Sequence, residues 1–158
     1  LLDTHLHIDH IFGNNFMLDE YGLSARAHEA DSFWVEDAEK YAAMLGMRGI
    51  TPPPALGEYL KDGDTVKFGH SELKVIHVPG HSPGGLCFYA EKDKLLIAGD
   101  VLFQGSIGRA DLPGGDMHQL LKGIREKLFV LPDDVRVVPG HGGFTSIGEE
   151  KRMNPFFQ

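Results

Sequence analysis

Residues Asp3-Thr4-His5-Leu6-His7-Ile8-Asp9-His10 place three histidines and two aspartates in eight positions. His5 and His7 are two residues apart, so in an extended segment both imidazoles project to one side and can close on a single ion. Asp9 and His10 follow at once, and a chain that turns into a helix here aims both at a second ion. Nitrogen and oxygen ligands of this kind suit zinc, iron or manganese, and the sequence leaves that choice open. The polar density reads as a loop, entered from Leu1-Leu2 as the tail of a buried strand.

Three further candidates stand at strand ends in turns rich in glycine or proline. His81 lies in Val78-Pro79-Gly80-His81-Ser82-Pro83-Gly84, Asp100 closes the apolar run Leu95-Leu96-Ile97-Ala98-Gly99, and His141 lies in Val138-Pro139-Gly140-His141-Gly142-Gly143. A strand that ends in such a turn holds a polar side chain rigidly at the rim of a sheet.

The ordered set His5-x-His7-x-Asp9-His10, His81, Asp100 and His141 resembles the metallo-β-lactamase superfamily. The phrase Gly99-Asp100-Val101-Leu102-Phe103-Gln104-Gly105-Ser106-Ile107-Gly108-Arg109 narrows the resemblance to short bacterial glyoxalase II-like hydrolases, whose closing Asn-Pro-Phe recurs as Asn154-Pro155-Phe156. The resemblance implies an α/β fold, the αβ/βα sandwich of that superfamily, and two divalent metal ions, zinc first with iron or manganese as alternatives. His5, His7 and His81 would then bind the first ion, Asp9, His10 and His141 the second, and Asp100 would bridge them. Asp9 and Asp100 are the carboxylates given a catalytic part, and a water held between the ions is the nucleophile.

The implied reaction is hydrolysis of a small thioester or ester, such as a 2-hydroxyacyl thioester of glutathione. A thiol of pKa about 8.5 departs as thiolate with little help, whereas an amine needs a proton delivered, and no dedicated donor stands out for a β-lactam. The rivals are a persulfide dioxygenase with a single iron and a non-catalytic metal-binding module on the same scaffold. Two departures from the pattern stand out. The N-terminal strands of these enzymes are absent from a chain that opens at Leu1 without methionine, so the core is expected to be open on one side. No helical glutathione-binding domain follows His141, so glutathione recognition does not carry over.

Composition narrows the remaining classes. At 158 residues, 42% hydrophobic and 24% charged, the chain reads as one globular domain spanning 1–158. A net charge of -8 repels nucleic acid, and no apolar run reaches the roughly 20 residues that cross a bilayer. The expected partner is therefore a small molecule, with neither nucleic acid nor membrane, and the oligomeric state is left open. A single cysteine, Cys87, fits a reducing compartment and a cytoplasmic location.

Periodicity and turn residues predict a short helix within 11–22, a strand over 25–28, and one helix capped by Asp31 or Ser32 that bears Phe33, Ala38, Tyr41, Ala42 and Leu45 and ends near Gly46 to Gly49. Strands follow at 65–68, 73–78, 86–90 and 95–98, then a glycine-rich loop over 100–115. A helix capped by Asp116 carries Leu120, Leu121, Ile124 and Leu128 on one face, and a strand covers 135–138. Ser146 and Glu149 form a capping box for a last helix that stops before Pro155. Outside the ligand set, His77 reads as a core or edge residue, and His28, His70 and His118 as surface. Arg109 and Asp111 read as an ion pair fixing their loop, Cys87 as a buried hydrophobe, and Phe33, Trp34 and Tyr41 as helix packing rather than a substrate wall, although the resemblance places their helix near the site entrance. Phe156 and Phe157 are expected to pack the tail down.

Overall fold

In the computed structural model, which describes residues 1–158, a mixed sheet runs in the order β1 (Thr65–Phe68), β2 (Ser71–His77), β3 (Leu86–Ala90), β4 (Leu95–Gly99), β7 (Arg136–Pro139), β8 (Thr145–Ser146). Between β4 and β7, β5 (Leu102–Phe103) and β6 (Ser106–Ile107) form a separate hairpin. Neighbours pair antiparallel except β4 with β7, which are parallel. A parallel pair needs a long crossover, and residues 100–135 supply it, including α5 (Met117–Gly123). The consequence for function is direct. Ile97 sits opposite Val138 and Gly99 opposite Pro139, and the Gly140 N–H donates to the Gly99 carbonyl at 2.8 Å. The residues that follow these two strands, Asp100 and His141, therefore emerge side by side.

Alternation along the strands assigns the two faces. Cys87, Tyr89, Leu96, Ala98 and Val137 point into a core shared with Leu120, Ile124, Leu128 and Ile147. Leu120, Ile124 and Leu128 recur every four residues, so α5 and the π-helical turn Ile124–Leu128 that continues it lay one apolar stripe on the sheet. Asp116 caps α5 by accepting from the Gln119 N–H, and Ser146 caps α6 (Ile147–Met153) by accepting from the Glu149 N–H. The opposite faces of the strands bring Leu86, Phe88 and Ala90 against Leu60, Val66, Leu73 and Val75, with Leu2, Leu95 and Ile97 packed at the margin. These seven residues are buried, so this side of the sheet is less open than the sequence suggests. A third cluster lies under the histidine-rich segment, where Leu6, Ile8 and Ile11 meet Ala27, Trp34 and Ala42.

The short helix expected within 11–22 is α2 (Asn14–Tyr21), ending at Gly22 in the left-handed region, φ 65, and a further turn, α1 (Ile8–Ile11), precedes it. Three local expectations are corrected. Residues 25–28 form no strand, only a single bridge from Leu2 to Arg26. The single helix expected to end near Gly46 to Gly49 is broken at Asp37 into α3 (Ser32–Glu36) and α4 (Ala38–Met44), and the break lets Trp34 and Ala42 both reach the third cluster. The loop over 100–115 contains the β5–β6 hairpin. Phe157 packs against Phe129, ring centroids 4.7 Å apart, while Phe156 stays exposed.

Candidate metal centre

The seven predicted ligands converge. His5 and His7 lie in extended chain, and His7 is the last extended residue before α1 turns helical, so Asp9 and His10 project from its first turn. The chain reverses between the two pairs because Leu6 and Ile8 are drawn into the apolar cluster beneath. Potential ligand atoms of His5, His7 and His81 lie within 4.8 Å of one another, and so do those of Asp9, His10 and His141. His5 Nε2 is 3.3 Å from His81 Nε2, and His10 Nε2 is 3.2 Å from His141 Nε2. Asp100 sits between the triads, with Oδ1 3.5 Å from His10 and Oδ2 3.5 Å from both His81 and His141.

The donor set fits a cation. His7 Nε2 and Asp100 Oδ1 are buried with no hydrogen-bond partner, an expensive arrangement for polar atoms unless something else satisfies them. Burial, aided by the neighbouring imidazoles, pushes His5 well below the usual histidine range. Burial and then His81 bring His7 to about 3. Both are thus neutral, the form in which imidazole binds metal. At His81 burial also lowers the pKa, against the opposing hydrogen bond to the Arg109 carbonyl. Burial would lower His10 too, but the nearby carboxylates of Asp100 and Asp9 raise it on balance. The same contacts, with His81 and His141, hold Asp100 below the carboxylate range despite burial.

Surrounding groups aim the ligands. A carbonyl only accepts, so His81 Nδ1 must donate to the Arg109 carbonyl at 2.7 Å, which leaves Nε2 free to face the centre. Two glycines leave room for these contacts. A Cβ at Gly108 would overlap the Asp100 carbonyl and approach the His81 ring to 3.0 Å, and one at Gly140 would overlap Asp100 Oδ1. Asp31, which reads in the sequence as a helix cap, makes no side-chain cap and is wholly buried. It accepts from Leu6 N–H at 3.2 Å, Ser82 Oγ at 2.9 Å and Gly84 N–H at 2.5 Å, tying the His5-x-His7 segment to the His81 turn. Its neighbour Ser32 is an ordinary cap residue, and nothing in local spacing separates the two.

The other assignments sort themselves around this cluster. Arg109 and Asp111 pair through two hydrogen bonds, 2.6 and 2.7 Å, and Cys87 is fully buried, as expected. His77 donates to or accepts from the chain through Nε2, and since Pro83 offers only a carbonyl at 2.8 Å, it donates, bracing the His81 turn. His28 is not free on the surface but half-buried and stacked on His77 at 4.1 Å. Beside the cluster lies a cavity of about 540 Å³ whose lining includes His7, Asp9, His81, Asp100 and His141 together with Leu6, Trp34, Ala38, Tyr41, Met44 and Leu112. Trp34 and Tyr41 line this cavity as well as packing against each other, ring centroids 4.2 Å apart, so the helical segment that the resemblance puts near the site entrance supplies wall and packing together.

The sequence pattern of the metallo-beta-lactamase superfamily matches residues 2–141, a span that holds all seven candidate ligands. The hydroxyacylglutathione hydrolase GloC of Haemophilus influenzae is 38% identical over 157 residues, 99% of this chain and 74% of that protein. A crystal structure of TTHA1623 in a di-iron-bound form aligns with a TM-score of 0.89 at 39% identity, covering 98% of this chain and 75% of its own. BLEG-1 B3 metallo-beta-lactamase aligns with a TM-score of 0.92 at 39% identity, covering 99% and 75%. The chain belongs to the metallo-β-lactamase superfamily, a group of metal-dependent hydrolases. It spans about three-quarters of the length of these relatives. No helix is long and apolar enough to cross a membrane.

Proposed function

We propose that the chain is a two-metal hydrolase of small thioesters or esters, glyoxalase II-like in its chemistry. The observation that carries this reading is the position of Asp100, whose carboxylate lies 3.5 Å from His81 of one triad and 3.5 Å from both His10 and His141 of the other. In it His5, His7 and His81 would hold one divalent ion and Asp9, His10 and His141 the other, with Asp100 available to both; zinc is the first choice, with iron or manganese as alternatives. Ions at such a site supply Lewis acidity toward the scissile carbonyl and make a water nucleophilic near neutral pH.

The chain's own residues do the rest. Asp100, buried and held ionised by three imidazoles, keeps negative charge fixed between the triads. Asp9 has a half-exposed side chain with Oδ2 3.2 Å from His141, on the cavity side, where it can accept the proton given up by the attacking water. His81, locked by the Arg109 carbonyl, keeps one orientation through the reaction. A thiolate leaves without a proton donor, so a thioester asks least of this site. Similarity to the Haemophilus influenzae hydroxyacylglutathione hydrolase supports the same choice. The test is a panel of lactoyl and acetyl thioesters, a lactone and a β-lactam, with oxygen uptake followed on a persulfide. Thioester cleavage without oxygen uptake is expected. Persulfide oxidation with no thioester cleaved would replace the reading with a one-iron dioxygenase, and cleavage of the β-lactam alone would replace it with a lactamase.

A further inference from the structure

We propose that the cavity beside the metal centre is an acyl chamber, built for a thioester whose acyl group is an extended apolar chain rather than a short hydroxyacyl unit. The inference rests on the hydrolase reading and names the half of the substrate that the chamber takes. Its volume, about 540 Å³, falls among sites that hold drug-sized molecules and is several times what a three-carbon acyl group fills. Its far wall is Trp34, Tyr41, Met44, Leu45, Met47 and Leu112. Met44 is 63% and Leu45 51% exposed. Such surface gains most by covering itself with an apolar ligand. Two methionines in the wall add side chains that adapt to different shapes.

Charge decides which half of the substrate enters. Of the lysines and arginines only Arg109 lines the chamber, and both arms of its hydrogen bonding to Asp111 are engaged. The carboxylates of Asp9 and Asp100 belong to the metal centre, so away from it the wall carries no free charge. Biological thiol carriers are polar and commonly anionic, so a wall of apolar side chains without a lysine or an unengaged arginine suits the acyl group and leaves the thiol half at the mouth. His7, His81, Asp9 and His141 line the same space and Trp34 lies against His7, so an acyl chain along the Trp34–Tyr41 wall can place its carbonyl beside the metal centre.

The wall also provides its own reporter. Trp34 is the only tryptophan in the chain, buried and edge-on to His7 with ring centroids 4.4 Å apart. With glutathione as the constant thiol, kcat/KM is measured for metal-loaded protein on lactoyl, acetyl, butanoyl, hexanoyl and octanoyl thioesters. Octanoate and lactate binding are followed by Trp34 fluorescence. The proposal expects kcat/KM to rise by up to about fourfold per added methylene. It also expects octanoate to change the fluorescence where lactate does not. In L45E, whose altered side chain is exposed and away from the core, the octanoyl-to-acetyl ratio should fall toward one. A profile flat or highest at lactoyl, with no fluorescence response to octanoate, overturns the chamber while leaving the hydrolase intact. A preference that follows apolarity of the thiol, with the acyl group held constant, also overturns it. Octanoate binding in protein that cleaves no thioester would keep the chamber and sink the hydrolase reading instead.

Discussion

The two triads are made of similar donors but sit in different surroundings. His5, His7 and His81 are 2%, 5% and 4% exposed, whereas the side chains of Asp9 and His141 are 50% and 57% exposed. The first triad is wedged between the Leu6 cluster and the His81 turn, and Asp31 clamps both. The second is held by one turn of helix on one side and a glycine-rich turn on the other, with the solvent-facing cavity in front. Rigid, dehydrated ligands lose little freedom on binding an ion, and exposed ones lose more. The buried site should therefore bind first and release slowly, and the exposed site should be the one that exchanges. Under the proposed two-ion reading the chemistry would divide along the same line, with the buried side fixing charge and the open side meeting substrate.

Asp100 belongs to both halves, so its removal should have the largest effect. In Asp100→Ala, kcat is expected to fall by at least about 10³-fold and metal content by more than either single-triad variant. Unchanged metal content in that variant would remove Asp100 from the bridging position. Next comes the asymmetry itself. His7→Ala should weaken tight binding by at least about 100-fold, while His141→Ala should lose only the weaker ion and keep the tight one. Equal losses from the two substitutions would erase the distinction between the triads.

A smaller effect is expected one layer out. Asp31→Ala leaves the buried Leu6 and Gly84 N–H groups without an acceptor, at a cost of about 2–4 kcal/mol in unfolding free energy. It should also weaken the buried ion by roughly 10–100-fold, with the exposed ion affected less. Denaturant unfolding and metal competition measured on the same variant separate the two. The smallest effect lies at the cavity rim. Arg109 holds the exposed Asp111 carboxyl down at about 2. A depressed carboxyl contributes stability above its unfolded pKa of about 3.9, lost as pH falls toward 2. Carboxyl titration by NMR should show Asp111 near 2, returning to the ordinary range in Arg109→Ala, with little change in stability at neutral pH.

The ligand positions were legible because each stands where backbone chemistry is local. His5 and His7 sit in extended chain before a helix start, and His81, Asp100 and His141 follow strand ends marked by glycine and proline. The parallel pairing of β4 with β7 was not legible, although it is what sets Asp100 beside His141. Asp31 escaped for the same reason, since its partners lie 25 to 53 residues away and a carboxylate before Ser32 reads equally well as a cap. The break at Asp37 and the two-residue strands of the β5–β6 hairpin fall below what periodicity resolves, because so few positions repeat. Trp34 and Tyr41 have the same apolar pattern whether they face a core or a cavity, and only the tertiary structure separates the two.

The central claim is that two unequal ions occupy one shared site. Calorimetric titration of metal-free protein with zinc, with elemental analysis of the saturated product, addresses it directly. The account predicts two resolved steps reaching about two ions per chain, with Asp9→Ala retaining the tight step and losing the weak one. A single step saturating at one ion, unchanged by Asp9→Ala, would contradict it.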